Sequence, residues 1–289
     1  MLGLSGTPAG GKPVQGAQVV SRVALLLRLV GRDPNGSALA DIVRDSGLTR
    51  PTVYRLLGSL AAEGLLELDP KSNTWRYGPE IFVMGTVAAP RYPIEDLARP
   101  SLRRLADATE ESAFLSVRRG NETVCLLREE GSFPIRSFVL HEGVRFPLGV
   151  ASAGMAILAA LPDSEVDQLL LDADPAFVQR WGEQNSPAAM RAGIERTRAA
   201  GYAVNPGMIV EGSWGMGAAV FDPAGRPAWA LSLTGIEPRF RPERQEHLGR
   251  LLVEESATIT RKLRQDESAP ARGPGAPYAA AMPKLLSLR

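Results

Sequence analysis

The sequence predicts an α+β chain of two units. The first is small and helical and is closed by a two-stranded hairpin. The second carries antiparallel strands with helices grouped at its flanks. Three observations predict this. Residues 38–78 read as helix, Gly turn, helix, hairpin. From about Pro93 the pattern changes to short alternating strands between helices. The length of 289 residues allows two modest domains, each with its own core.

A first helix is expected over Val19, Val20, Val23, Leu26, Leu27 and Val30, a broad apolar stripe with Gly31 near its end. In the second helix Leu39, Ile42 and Val43 recur at i, i+3, i+4, with Asp41, Arg44 and Asp45 on the wet side. Gly47 suits the exit turn, and Leu48 plugs the corner between the helices. Thr49 is the expected N-cap and Pro51 sits in the first turn. Pro51 also biases Arg50 away from helical angles, which places the expected helix start one residue later.

The third helix turns Val53, Leu56, Leu57 and Leu60 inward and ends at Gly64. Leu65, Leu66 and Leu68 open a strand, residues 69–73 make the turn, and Thr74 to Tyr77 return. This is the order of a winged helix-turn-helix. Such a unit reads double-stranded DNA with polar side chains at the N-terminal end of its second helix. The candidates are Thr49, Arg50, Pro51, Thr52, Tyr54, Arg55 and Ser59. Lys71, Asn73 and Arg76 are placed to meet phosphate from the wing. A plain helical hairpin buried in a core is the competing reading, and the hairpin directly after the helix counts against it.

Net charge is +1, so no global basic signal for nucleic acid exists. Attraction to DNA has to come from local placement of Arg50, Arg55, Lys71 and Arg76, with Arg22 and Arg28 near in sequence and Glu63, Glu67 and Asp69 opposing. Non-specific binding is therefore expected to be weak, with specificity resting on a pre-shaped helix and on dimerisation. A single cysteine excludes a disulfide framework and a Cys-cluster metal site. Cys125 lies in an apolar run and reads as a core thiol. No apolar stretch reaches membrane-spanning length and no secretory start is present, so the cytoplasm is expected. Residues 1–16 and 266–289 are rich in Gly, Pro and Ala and are expected to be disordered.

The boundaries follow: a DNA-binding domain over 17–78, a linker helix over 79–92, and the second domain over 93–265. Ile81, Phe82, Val83 and Met84 are too apolar for a free linker. Packing against a second copy and packing within one chain both fit. The second domain opens with a helix, Ile94 to Glu110, that turns Leu97, Leu102, Leu105 and Ala106 inward. Strands Ala113 to Arg118 and Glu122 to Arg128 follow as a hairpin at Gly120-Asn121. Arg136 to Leu140 and Val144 to Phe146 are further strand candidates. Residues 150–161 read as a buried small-residue helix, with helices near 163–171 and 187–200. Strands return at Tyr202 to Asn205, Trp214 to Phe221 and Pro227 to Leu233. A last amphipathic helix carries Leu248, Leu251, Leu252, Ile259 and Leu263.

The ordered chain, about residues 18–264, resembles the IclR family of bacterial transcription regulators. The resemblance is carried by Leu48 through Leu57 with Gly64, by Tyr77-Gly78-Pro79, and by Pro147-Leu148 leading into Ser152 through Ala159. Ala200-Gly201-Tyr202, Ala218 through Asp222 and Ala230 through Gly235 complete it. Each piece is weak alone; their order and spacing make the match specific. It implies a C-terminal effector domain of GAF-like fold, and homodimers or tetramers on palindromic operators. It also implies a small organic acid as effector; no cofactor and no metal are expected.

Carried over by position, the effector cavity involves Ala153, Gly154, Asn205, Gly215, Ser232 and Thr234, closed by the loop through Gly149, Val150 and Ser152. The residues agree: a helix N-terminus attracts a carboxylate, and Ser232 and Thr234 share one strand face. This chain departs from the family pattern where Gly149, Val150, Met155, Trp214-Gly215 and Asn205 replace polar or ionic residues. A larger, more apolar pocket is therefore expected, suited to an aromatic or extended acid, with Trp214 stacking on it. Val43 stands where a smaller Ala is common. The expected mechanism closes the Gly149 to Ser152 loop on the effector, and the linker helix then moves two reading heads. His141 and His247 lack metal-ligand spacing. An enzyme or small-molecule binder using the N-terminal helices only to dimerise is the alternative, and the sequence offers no nucleophile or acid–base pair for it.

Overall fold

The computed structural model describes residues 17–33, 35–89, 94–171 and 176–268. The N-terminal unit packs α1 (Ala17–Val30), α2 (Leu39–Ser46) and α3 (Arg50–Ala62) over a small sheet. That sheet is three-stranded, in the order β1 (Ser37–Ala38), β3 (Thr74–Tyr77), β2 (Leu66–Asp69). Its core is Leu26, Leu29, Ile42, Val53, Leu57 and Leu66, sealed by Trp75. Gly47 leaves α2 at φ 64°, the left-handed angle that a Cβ would oppose. Strand β1 is too short to show a period in sequence, and it appears only because Ser37 and Ala38 pair with Trp75 and Thr74.

Several expectations change here. Val19 and Val20 are exposed, because the small core meets only the second half of α1. Helix α3 begins at Arg50 itself: the Val53 N–H donates to Thr49 O at 3.0 Å and closes the first turn around it. Thr49 holds the N-cap position, but its hydroxyl pairs with the Thr52 hydroxyl at 2.9 Å instead of capping a backbone N–H.

The linker helix α4 spans Pro79–Ala88, and Phe82, Val83, Met84 and Val87 are all exposed on it. The second unit has one antiparallel six-stranded sheet. Its order is β6 (Arg145–Pro147), β5 (Glu122–Glu129), β4 (Ser112–Arg119), β9 (Pro227–Ile236), β8 (Ser213–Phe221), β7 (Ala203–Pro206). One face packs Leu115, Met216, Val220 and Leu231 against α5 (Ile94–Thr109) and the long α10 (Pro242–Ser268). The other face meets α6 (Ser152–Ala159), with α7 (Asp163–Leu171) and α9 (Pro187–Ala200) outside it. A short helix, α8 (Ala176–Trp181), joins the last two.

Arg136 to Leu140 is not a strand. The exposed edge of β5 is taken by β6 and by the 141–144 turn, which bonds Cys125 through both backbone groups. Of the expected tails, 266–268 belongs to α10, while 1–16 and 269–289 lie outside the described residues.

Candidate functional site

Two sites emerge, one on each unit. On the first, α3 exposes Arg50, Pro51, Tyr54, Arg55 and Ser59, with Thr49 just ahead of them and Thr52 half-buried. The side chains of Arg50 and Arg55 make no hydrogen bond or ion pair with any described residue, so both guanidinium groups project from the helix. The hydroxyl of Ser59 is turned back onto Arg55 O at 3.0 Å. The wing behaves differently from expectation. Arg76 pairs with Asp69 at 3.0 Å and donates to Asn35 O at 3.0 Å, bracing the hairpin against Asn35. The Lys71 N–H donates to Asp69, a bond that leads in holding this carboxyl below its ordinary range. Lys71 and Asn73 remain exposed at the tip, Asn73 in the left-handed region at φ 55°.

On the second unit a cavity opens between the α6 face of the sheet and two surface segments, 131–144 and 207–212. The glycines of β8 allow it. A Cβ at Gly217 would stand 2.9 Å from the Ser152 backbone, so only glycine lets the N-terminus of α6 settle on the sheet. Gly215 gives the same room to the Ser152 hydroxyl. The first N–H groups of α6 have no partner inside the helix, and Ser152 and Ala153 face the cavity with them.

Of the residues expected from the sequence, Ser152, Ala153, Asn205, Trp214, Gly215, Ser232 and Thr234 line this cavity. Ser232 Oγ and Thr234 Oγ1 are buried without any hydrogen-bond partner. Asn205 is fully engaged: its Nδ2 donates to Val150 O at 2.6 Å and its Oδ1 accepts from the Met208 N–H at 3.0 Å. It ties the approach to α6 to the 207–212 segment. Gly149, Val150 and Gly154 lie outside the lining. Gly149 packs on Met190, Gly154 on the Pro147 to Gly149 backbone, and Val150 is fully buried beside Phe114 and Cys125. The Gly149 to Ser152 loop is thus a buried support, and the outer cover of the cavity is the 131–144 segment, on which Ile135 and Phe138 are exposed. Ser137 and Ser213 pair at 2.6 Å across the mouth.

Ser116, Thr123, Phe146 and Ile209, none of them a site candidate from the sequence, and Cys125, expected only as a core thiol, complete the lining with Val139, Leu140, Val144, Ala151 and Ser213. A signal existed: Thr123 and Cys125 are two apart on one strand, as are Ser232 and Thr234 on another, and such pairs share a face. Burial, then the nearby Glu142 charge, pushes the Cys125 thiol up to about 12, so it is an inert wall group. Among the described residues the lining contains no Lys, Arg, His, Asp or Glu. The cavity's free volume is about 30 Å³, enough for a water or two. Among the described residues no group of His, Cys, Asp and Glu could hold a metal ion, and no helix is long and apolar enough to cross a membrane.

Comparison with known proteins places both units in one family. Residues 86–261 match the family described as bacterial transcriptional regulator IclR C-terminal, and residues 19–70 match the IclR helix-turn-helix domain. The chain is 28% identical over 253 residues to the HTH-type transcriptional regulator BhcR of Paracoccus denitrificans (strain Pd 1222), covering 87% of this chain and 89% of that protein. Its fold is similar to the crystal structure of an IclR transcriptional regulator from Alicyclobacillus acidocaldarius. The TM-score is 0.71 at 23% identity, over 87% of this chain and 100% of that one. It is also similar to an IclR homolog from Microbacterium hydrocarbonoxydans crystallised with 4-hydroxybenzoate. There the TM-score is 0.67 at 23% identity, over 86% of this chain and 99% of that one.

Proposed function

The chain belongs to the IclR family of bacterial transcriptional regulators, and from that premise we propose that it binds a palindromic operator as a homodimer whose affinity is set by an aromatic acid in the C-terminal cavity. It is a regulator with a helix-turn-helix DNA-binding domain and not an enzyme. The observation that carries the DNA half is the exposed edge of α3, where Arg50 and Arg55 stand free of partners. Free guanidinium groups are suited to bidentate contact with guanine. Arg50→Ala and Arg55→Ala each weaken binding to the protein's own upstream DNA by about 1–3 kcal/mol if the contact is bidentate. Footprints unchanged in both variants remove this reading.

The effector half rests on the lining. Phe146, Leu140, Val144 and Ile209 offer apolar walls, and no side-chain cation offers a partner for a carboxylate. An acid head then relies on the N-terminus of α6 and on the unpartnered hydroxyls of Ser232 and Thr234. A small acid leaves the apolar walls unused, whereas a ring covers them. The 4-hydroxybenzoate in the Microbacterium relative supports a ring-bearing acid. Such a ring needs more than the present free volume, so binding displaces the 131–144 cover outward, and a ligand that binds only the displaced form shifts the population toward it. Titration calorimetry with short and aromatic acids tests this. Tight binding of glyoxylate or pyruvate alone overturns it.

The exposed apolar face of α4, Phe82, Val83, Met84 and Val87, is the surface that supports pairing with a second copy, with Val19 and Val20 of α1 as a further exposed apolar pair.

A further inference from the structure

The cavity wall and the DNA-reading unit of one chain touch. The 141–144 turn is held to the cavity wall by two backbone bonds. The Gly143 N–H donates to Cys125 O at 2.8 Å, and the Cys125 N–H donates to Val144 O at 3.0 Å. Cys125 and Val144 both line the cavity. On its outer side Gly143 rests on the end of α1: a Cβ at Gly143 would stand 3.4 Å from Gly31 O.

The contact continues inward through the reading unit. A Cβ at Gly31 would meet Tyr77 Oη at 2.1 Å, so the Tyr77 ring lies directly over this glycine. The Tyr77 hydroxyl donates to Leu27 O at 3.0 Å and clips the wing to α1. The next residue, Gly78, packs on Gly64, where a Cβ would stand 2.2 Å from Gly64 O. Gly64 closes the turn that follows α3, and Glu80 of α4 donates its N–H to Gly64 O at 3.1 Å. One run of contacts, backbone throughout except for the Tyr77 side chain, therefore joins the cavity wall, the end of α1, the root of the wing, the end of the reading helix and the start of the linker helix. Glycines at its close approaches leave little room for a displaced wall.

We infer that the His141 to Arg145 turn is a docking face for the chain's own reading unit, meeting it at Gly31 beside the Tyr77 ring, and that ligand-driven movement of Val144 reaches α3 through it. This rests on the effector reading above and names its route of regulation. Packed contacts alone do not establish coupling; a perturbation on one side must be felt on the other.

Hydrogen–deuterium exchange on the full-length protein, without DNA or ligand, tests this. Gly31→Ala displaces the Tyr77 ring from the reading side. Val144→Ala loosens the cavity wall. Gly31→Ala is expected to raise exchange about twofold or more in peptides over 121–128 and 139–146. Val144→Ala is expected to do the same over 27–33 and 64–78, while the middle of α10 stays unchanged in both. Tyr77→Ala, which uncovers Gly31, takes the place of Gly31→Ala if that variant does not fold. Coupling is reciprocal, so changes confined to the mutated unit, or seen in one direction only, overturn the inference. Neither operator nor effector enters this experiment, so its failure is distinct from theirs.

Discussion

Ser232 and Thr234 stand at the centre of the second site, and their cost is visible. Each hydroxyl is buried with no partner. An unmet buried polar group destabilises by about 1–3 kcal/mol, and an apolar group of the same shape removes that penalty. Thr234→Val is therefore expected to leave stability unchanged or raise it by roughly 1–2 kcal/mol in a denaturant melt, while weakening effector binding. A clear loss of stability would mean that the hydroxyl is bonded in the folded protein. Asn205 teaches the opposite lesson. The family resemblance marks it as a ligand contact, yet both ends of its amide are held by Val150 and Met208. A sequence gives the residue and its face; it does not give what a neighbour fifty residues away has already bonded.

Among the elements, α6 depends most on what lies beneath it. All of its residues are buried, and its N-terminus sits on Gly217. Gly217→Ala sets a methyl 2.9 Å from the Ser152 backbone, and overpacking of this kind costs about 1–3 kcal/mol. Gly58 is the counter-case: it is exposed on α3 with nothing within 4 Å of a built Cβ. Gly58→Ala is expected to stabilise by about 0.5–1 kcal/mol, because a helical alanine loses less chain entropy than glycine. Thermal melts of the two variants should move in opposite directions, and equal shifts would remove the packing argument. The helices and most strands are legible from period and turn residues. Strand β1 and helix α8 are not, since two or six residues carry no readable period.

For the whole molecule, the exposed apolar side chains of α4 are what the fold offers to a second copy. Phe82 is 77% and Val87 75% exposed, and no described residue of the chain covers them. Burying an apolar side chain contributes about 1.5–3 kcal/mol, so Phe82→Glu with Val87→Glu should raise the dimer dissociation constant roughly a hundredfold or more. Sedimentation of the double variant reads this directly. An assembly state equal to that of the unchanged protein would move the pairing surface elsewhere. Two heads must meet half-sites about one helical turn apart or a multiple of it, so losing the pair should weaken operator binding even with α3 intact.

The amino-acid order by itself determined the helix-turn-helix, the wing, the family, and the polar edge from Thr49 to Ser59. These are set by neighbours a few residues apart, through period, turn glycines and the division of a helix into wet and dry sides. Only the tertiary structure decided that Arg76 braces the wing, that Asn205 is bonded, that Ser232 and Thr234 are left without partners, and that the 141–145 turn meets Gly31. Each of those depends on which distant residue arrives opposite, and hydrogen-bond partners and close approaches of that kind leave no periodic trace in the chain.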